Sequence, residues 1–144
     1  MVRAATIAKV LGGERILGRK VSSQQDLITA IRRGLRVAAV EAIGDELDVP
    51  HKEVLATLRL ARRTMERRKA VGRLRPEESE RVYRLGKVLA YAESVLGTRE
   101  KARHWLSTPN QALENVTPLS LLETEAGADE VMKVLGRIDY GVYS

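Results

Sequence analysis

The chain has 144 residues, of which 44% are hydrophobic and 31% are charged, and both fractions are close to those of ordinary globular proteins. It contains no cysteine, which excludes a disulfide framework and a thiolate zinc site and predicts an intracellular, cytoplasmic protein. The first ten residues lack a continuous apolar run, so we expect neither a signal peptide nor a membrane span. Phenylalanine is absent, and the apolar residues are mostly leucine, valine, isoleucine and alanine. This composition predicts an all-α fold.

The positive charge is concentrated in the middle of the chain. The net charge is +6 overall, but residues 59–75 alone carry eight basic side chains and one acidic one. Residues 105–144 carry two basic and six acidic side chains. A basic segment and an acidic C-terminal part predict two surfaces with different partners, and the partner of the basic surface should be a polyanion. The alternative interpretation is a basic face that is merely solvated.

The first half of the chain indicates two helices after a glycine-rich start. Three glycines interrupt short apolar clusters in residues 2–21, so we expect short turns or a loosely docked arm there. Ser22 and Ser23 cap a helix whose apolar residues recur at helical spacing until Gly34. A second helix ends before Pro50. Its buried stripe consists of Val37, Val40, Ile43 and Leu47.

Two short helices follow, over residues 51–58 and about 61–70, and their spacing is typical of a helix-turn-helix. Apolar residues occupy the positions that usually hold the two helices together: Val54, Leu58, Leu60 and Met65. Two residues depart from the usual pattern. Leu55 stands where a small residue normally lets the helices cross closely, and Arg59 stands where glycine is favoured because φ is positive. The motif is therefore an ordinary DNA-binding one, a distorted one, or a degenerate one that no longer binds.

The second of these short helices is the candidate DNA-binding element. Its polar residues surround Met65 and should project toward solvent or DNA. A phosphate backbone favours such a basic cluster by counterion release, and a helix of this width fits the major groove. We predict that the DNA-binding residues are Arg62, Arg63, Thr64, Arg67, Arg68 and Lys69.

The second half of the chain indicates a long helix and then shorter elements. Pro76 begins a helix with three glutamates at the positive end of its dipole. Its apolar stripe is wide and reaches Leu96, which predicts a central or a dimer-forming helix. The later pattern predicts a helix from Thr98 to Leu106, a helical turn from Thr117 and a last helix from Thr124 to about Ile138.

The C-terminal tail is apolar and aromatic, although a chain terminus is normally polar and frayed. Such a tail either folds back on its own domain or enters the cleft of a partner. Its residues are Asp139, Tyr140, Gly141, Val142, Tyr143 and Ser144.

Catalytic and metal sites are not indicated. His51 and His104 are the only histidines, and neither stands at metal-ligand spacing with other ligands. The acidic pairs lack a nucleophile with a base or a glycine-rich phosphate loop, so we assign them to helix starts and solvent faces. We predict no metal, no cofactor and no enzymatic activity.

Several motifs occur in a specific order over about seventy residues. They are Gly72 to Arg81 (GRLRPEESER), Ala102 to Leu106 leading into Ser107 to Asn110 (STPN), Thr117 to Leu119 (TPL), Leu122 to Gly127 (LETEAG) and Gly136 to Gly141 (GRIDYG). With these motifs the chain resembles, from about Val10 to Ser144, the Xre/MbcA/ParS antitoxins, whose partners are RES-domain toxins.

The resemblance implies a division of labour along the chain. After an N-terminal arm at residues 1–22, it implies an Xre-like helix-turn-helix region at 23–83 and a helical toxin-binding domain at 84–144, sharing the long central helix. It also implies a homodimer that binds operator DNA and represses its own operon. The RES-domain toxin degrades NAD, and the C-terminus of such antitoxins covers or enters its active-site cleft.

Carried onto this chain, the resemblance makes the helix from Arg62 to Lys69 the DNA-reading helix and makes Asp139 to Ser144 the toxin plug. The Asp139 side chain or the terminal carboxylate of Ser144 could pair with a basic group of the toxin as a phosphate mimic. Two alternatives stay open. One is a plain transcriptional regulator whose C-terminal domain only dimerises, and the other is a toxin-neutralising protein that has lost DNA binding.

Overall fold

The computed structural model describes residues 2–141, and within that range the chain is helical and has no β-strand. The predicted all-α fold is confirmed. None of the described helices combines the length and hydropathy that crossing a lipid bilayer requires. The helices are α1 (Ala4–Val10), α2 (Gly13–Leu17), α3 (Gln24–Arg33), α4 (Ala38–Leu47), α5 (His51–Thr57), α6 (Arg62–Val71), α7 (Pro76–Leu96), α8 (Arg99–Leu106) and α9 (Glu125–Asp139), with 3-10 turns at Gln111–Leu113 and Leu119–Glu123.

The N-terminal segment is docked, which corrects the expectation of short turns or a loose arm within residues 1–22. Ile7 and Leu11 are 2% and 0% exposed, and α1 packs directly on α7. A β-carbon placed at Gly86 of α7 would lie only 2.8 Å from Leu11 Cδ2, so the two helices meet closely there. The expectation was wrong because the glycines of this segment lie at the ends of α2, where they turn the chain and do not interrupt a helix.

The predicted helix starts at Ser23, Thr98 and Thr124 are confirmed. Each side-chain oxygen accepts a hydrogen bond from the backbone N–H three residues further along the chain. At Ser23 the bond is reciprocated, because the Asp26 carboxylate accepts from the Ser23 N–H at 3.2 Å. These bonds satisfy amide groups that have no partner inside the helix, so the helices begin where the capping residues stand.

Helix α7 is central in the fold, which is one of the two interpretations of its wide stripe. Most of its apolar side chains are covered within the chain, because α1, α3, α4, α8 and α9 all pack on it. The boundary predicted between residues 83 and 84 falls inside this helix, and a single hydrophobic core extends from α1 to α9. The hydrophobic α7 residues at 0–1% exposure are Val82, Leu85, Val88, Leu89 and Ala92.

Arginines from α7 and α8 cap the C-terminal ends of other elements. The Arg81 guanidinium donates to the Leu58 carbonyl at 3.1 Å, and Arg84 donates to the last carbonyls of the second 3-10 turn at 3.2 and 3.3 Å. Arg103 donates to the Glu46 carbonyl, at the end of α4, at 2.6 Å. Carbonyl groups at helix ends lack intrahelical partners, and a cation also complements the negative end of the helix dipole. The Arg103 bond therefore joins the helix-turn-helix half of the chain to its C-terminal half, and the Arg84 bonds join the central helix to the second 3-10 turn.

Candidate functional site

Helices α5 and α6 form the predicted helix-turn-helix, and the buried residues and the turn lie where the sequence predicted them. The four apolar residues expected to hold the motif together are only 1–5% exposed: Val54, Leu58, Leu60 and Met65. The turn between them occupies residues 58–61, as the break at Arg59 and Leu60 predicted.

Arg59 adopts the left-handed conformation that the motif requires. Its φ is +55°, and the Leu60 N–H donates to the Leu55 carbonyl at 2.9 Å while the Arg59 N–H donates to the Ala56 carbonyl at 3.1 Å. This pair of bonds is the Schellman arrangement that ends many helices. The Arg59 carbonyl also accepts from Arg81 at 3.3 Å. The turn therefore forms with arginine in the position that normally favours glycine.

Leu55 is accommodated as well. It is 8% exposed and lies in a groove between α5 and α6, together with Leu60 and Met65. Basic side chains, among them Lys52 and Lys69, stand along the same groove. The larger side chain thus fills space between the helices, and neither departure from the usual pattern abolishes the motif.

Most of the predicted DNA-binding residues share the exposed surface of α6. Arg62, Arg63, Arg67 and Lys69 are exposed, and Thr64 is half-buried and accepts a hydrogen bond from Arg67 at 3.3 Å. Lys69 also pairs loosely with Glu66 at 3.6 Å. Arg62, Arg63 and Arg67 form no salt bridge with a carboxylate in the described part of the chain. Three exposed guanidinium groups on α6 are therefore available to a polyanion.

Arg68 differs from the other predicted DNA-binding residues, because its guanidinium is already bound within the chain. Its guanidinium forms a two-pronged ion pair with Glu78 in the first turn of α7, at 2.7 and 3.0 Å, and the two side chains are 12% and 7% exposed. Burial raises the pKa of the Glu78 carboxyl, but hydrogen bonds from Arg68 and from the Arg75 backbone N–H outweigh it, so the pKa lies below its ordinary value. Arg68 anchors α6 to the central helix.

The C-terminal half places α9 tightly against the second 3-10 turn and α7. Val131, Val134 and Leu135 are 0–3% exposed. A β-carbon at Gly127 would lie 1.9 Å from the Leu121 carbonyl oxygen, so only glycine permits this approach of the two backbones. Part of the LETEAG motif is thereby explained by packing.

The predicted toxin-binding residues begin where α9 ends. Asp139 is the last helical residue, and Tyr140 is 84% exposed although it is aromatic. The Tyr91 hydroxyl of α7 donates to Asp139 Oδ2 at 3.0 Å. Burial, followed by this hydrogen bond, raises the pKa of Tyr91. Asp139, Tyr140 and Gly141 thus lie together at an exposed end of the domain, whereas Val142, Tyr143 and Ser144 lie outside the described residues.

Several residues that organise these two surfaces were not found by sequence reasoning. They are the capping arginines of α7 and α8, the partner of Arg68, and Tyr91. Each acts through a contact between distant parts of the chain, for which the local sequence carries no signal. Within residues 2–141, no three His, Asp or Glu side chains converge in a way that could hold a metal ion.

The structure defines a class of helical protein in which a helix-turn-helix region and a C-terminal helical region share one hydrophobic core. Known families show the same division. Residues 26–87 match the model of the antitoxin Xre-like helix-turn-helix domain. Residues 92–141 match the model of the antitoxin Xre/MbcA/ParS C-terminal toxin-binding domain.

Curated relatives agree along nearly the whole chain. Antitoxin Xre of Yersinia enterocolitica is 37% identical over 132 residues, which are 90% of this chain and 89% of that protein. Antitoxin Xre of Photorhabdus laumondii is 33% identical over the same shares of the two chains. The chain belongs to the Xre/MbcA/ParS antitoxin family. It is therefore the antitoxin of a toxin–antitoxin system, and the prediction that it is not an enzyme is confirmed by this membership.

A solved structure shares the fold. A chain of the Mycobacterium tuberculosis MbcT–MbcA toxin–antitoxin complex superposes with a TM-score of 0.55 at 23% identity, covering 75% of this chain and 96% of that chain. At this identity the likeness concerns the fold alone.

Proposed function

We propose that this antitoxin neutralises a RES-domain, NAD-degrading toxin by covering the toxin's active site with its C-terminal segment, and that it represses its own operon through α6. The observation that carries the first part is Tyr140, an aromatic side chain that is 84% exposed at the end of the domain whose family model is named for toxin binding. Burying an exposed aromatic side chain against a partner lowers the free energy of the complex, and such residues are enriched in protein interfaces.

Charge supports the same surface. Residues 105–144 carry six acidic and two basic side chains. A cleft that accepts the anionic NAD molecule is expected to carry basic groups, and charge complementarity of this kind speeds association and excludes wrong partners. The motifs of the chain resemble those of antitoxins whose partners are RES-domain toxins, which favours that toxin class.

A truncated chain tests the plug. We expect that removing residues 140–144 leaves the circular dichroism spectrum and the melting temperature near those of the full chain, because the residues before them form the core contacts of α9. The truncated antitoxin should no longer protect NAD in cells that co-express the RES-domain toxin. A matched control is Lys133→Ala, an exposed position on α9 that pairs only with Glu130 among the described residues. Full protection by the truncated chain would rule out the plug.

The second part of the proposal places α6 in the major groove of operator DNA. The helix-turn-helix is formed, and Arg62, Arg63 and Arg67 are exposed on one of its helices. Arginine neutralises phosphates and can bridge guanine O6 and N7. The alternative of a lost DNA-binding function gains no support from the turn, since Leu55 and Arg59 both fit within the motif.

A charge-matched pair of triple variants tests DNA binding. In a mobility shift with the chain's own upstream DNA, replacing Arg62, Arg63 and Arg67 by alanine should weaken binding at every salt concentration. The negative slope of the logarithm of the binding constant against the logarithm of the salt concentration should become shallower by about 2 to 3, because up to three phosphate contacts are lost. The control replaces Lys101, Lys133 and Arg137, three exposed cations of the C-terminal half, and removes the same charge. Equal losses from both triples would mean that net charge, and not α6, binds DNA.

We also propose that the antitoxin binds DNA as a homodimer. Dimeric helix-turn-helix proteins contact two half-sites about one helical turn apart. Light scattering should therefore give twice the chain mass, and a footprint should show two protected half-sites. A monomer that protects a single half-site would contradict this.

A further inference from the structure

We infer that Tyr91 is a positioning residue for the toxin-binding tail, which it directs by holding Asp139 at the end of α9. The inference rests on the proposed plug function. It also gives Asp139 a role different from that of a phosphate mimic, because the structure shows its carboxylate bound within the chain.

The anchor itself is well defined. Tyr91 lies on α7, the central helix, and is 8% exposed, so its ring is fixed by the core. Its hydroxyl reaches across 48 positions of sequence to Asp139 Oδ2 at 3.0 Å. The ring passes beside α9 at Gly136, where a β-carbon would lie 3.8 Å from the hydroxyl oxygen. A rigid donor therefore meets the last turn of α9 from the side.

The last turn of α9 has few other restraints. Arg137 and Asp139 are exposed, and Ile138 is only partly buried. Within the described residues, the Tyr91 bond is the one side-chain hydrogen bond that joins this turn to the rest of the fold. A carboxylate at the C-terminal end of a helix is also disfavoured by the helix dipole. Asp139 is thus poorly suited to end a helix by itself, and the bond from Tyr91 offsets that cost.

Fixing Asp139 fixes the point from which the tail leaves. The Tyr140 N–H donates to the Gly136 carbonyl at 3.0 Å, and the Gly141 N–H donates to the Ile138 carbonyl at 3.1 Å, so both continue the geometry of the last turn. If that turn frays, only part of the population presents Tyr140 correctly. The apparent affinity for the toxin then falls by the fraction that is lost.

Four variants of the full-length chain test this. Tyr91→Phe removes only the hydroxyl, Asp139→Ala removes the acceptor, and Asp139→Asn keeps an acceptor oxygen while removing the charge. The double variant Tyr91→Phe with Asp139→Ala completes the set. We expect the first two each to raise the antitoxin concentration for half-maximal protection of NAD by about tenfold, the scale of one hydrogen bond to a charged group. Asp139→Asn should stay within about threefold of the parent, since a neutral hydrogen bond is weaker but remains.

The double variant separates positioning from contact with the toxin. If the bond is the whole effect, the double variant is no weaker than either single variant, because both remove the same interaction. If Asp139 touches the toxin, Asp139→Asn should weaken NAD protection as much as Asp139→Ala does. The loss in the double variant should then equal the product of the fold losses of the two single variants. Either of those results overturns the inference.

Hydrogen exchange of the free antitoxin gives a readout that needs no toxin. In Tyr91→Phe the amides of Tyr140 and Gly141 should exchange faster while those in the middle of α7 keep their protection. Unchanged exchange at both amides would overturn the anchor. Full NAD protection by the chain without residues 140–144 would instead rule out the proposed plug function. The hydrogen-exchange rates would still decide whether Tyr91 orders the end of α9.

Discussion

Two adjacent arginines of α6 lie in opposite environments, and the difference decides what each can do. Arg67 is exposed and its side chain donates a hydrogen bond to Thr64, whereas two nitrogens of the Arg68 guanidinium donate to the two carboxylate oxygens of Glu78. The sequence showed a basic cluster but could not separate its members. The partner of Arg68 stands ten positions away, beyond the turn at Gly72, and only the path of that turn brings the two together.

Removing Arg68 should therefore reduce stability. Arg68→Ala leaves the Glu78 carboxylate, only 7% exposed, without its charged partner. We expect the free energy of unfolding in urea to fall by about 2 kcal/mol, the usual cost of losing a hydrogen-bonded charge partner at a partly buried site.

The neighbouring substitution is the control. Arg67→Ala should change the free energy of unfolding by less than about 0.5 kcal/mol, as exposed positions generally do, and should weaken operator binding instead. Equal stability losses in both variants would show that the cluster acts through helix propensity or net charge, and not through the ion pair.

At the level of elements, the chain from α3 to α9 was largely predictable because its boundaries are local. Ser23, Thr98 and Thr124 cap helices, and Pro76 starts one, by bonds and torsions that involve only the next few residues. The N-terminal segment was not predictable in this way. Whether α1 and α2 form a loose arm or part of the core depends on contacts with α7, which is distant in sequence.

Two glycines of α9 should respond in opposite directions to the same substitution. Gly127→Ala places a β-carbon 1.9 Å from the Leu121 carbonyl oxygen, so the 3-10 turn and α9 must separate. We expect a loss of about 2 to 3 kcal/mol in the free energy of unfolding, within the range for overpacked sites. Gly136→Ala meets only the Tyr91 hydroxyl, at 3.8 Å, and should gain about 0.5 kcal/mol from helix propensity. Losses of equal size at both positions would refute the backbone-contact explanation.

At the level of the whole molecule, the two functional halves share one core. The sequence indicated two surfaces from the distribution of charge, and family membership supports an antitoxin with a helix-turn-helix. The resemblance also implied that the halves share the long central helix, but the sequence did not indicate the side-chain contacts that join them. Arg103 of α8 donates to the Glu46 carbonyl at the end of α4, and this contact between distant residues has no local pattern.

Such a shared core predicts cooperative unfolding. Trp105 is the only tryptophan, lies in α8 and packs against the core, so its fluorescence reports on the C-terminal half. Circular dichroism reports on every helix. The two signals should give the same midpoint in a urea titration. Separate midpoints would show that the halves unfold independently.

The continuity of α7 has a consequence for how the two proposed binding surfaces are placed relative to each other. Glu78, which holds the DNA-side helix, and Tyr91, which holds the tail, stand thirteen residues apart on one unbroken helix, a separation of about 20 Å. A flexible hinge between two domains would let a bound toxin and bound operator DNA move relative to each other. If α6 and the tail bind as proposed, the single helix α7 would hold a bound toxin at a fixed distance and orientation from the DNA.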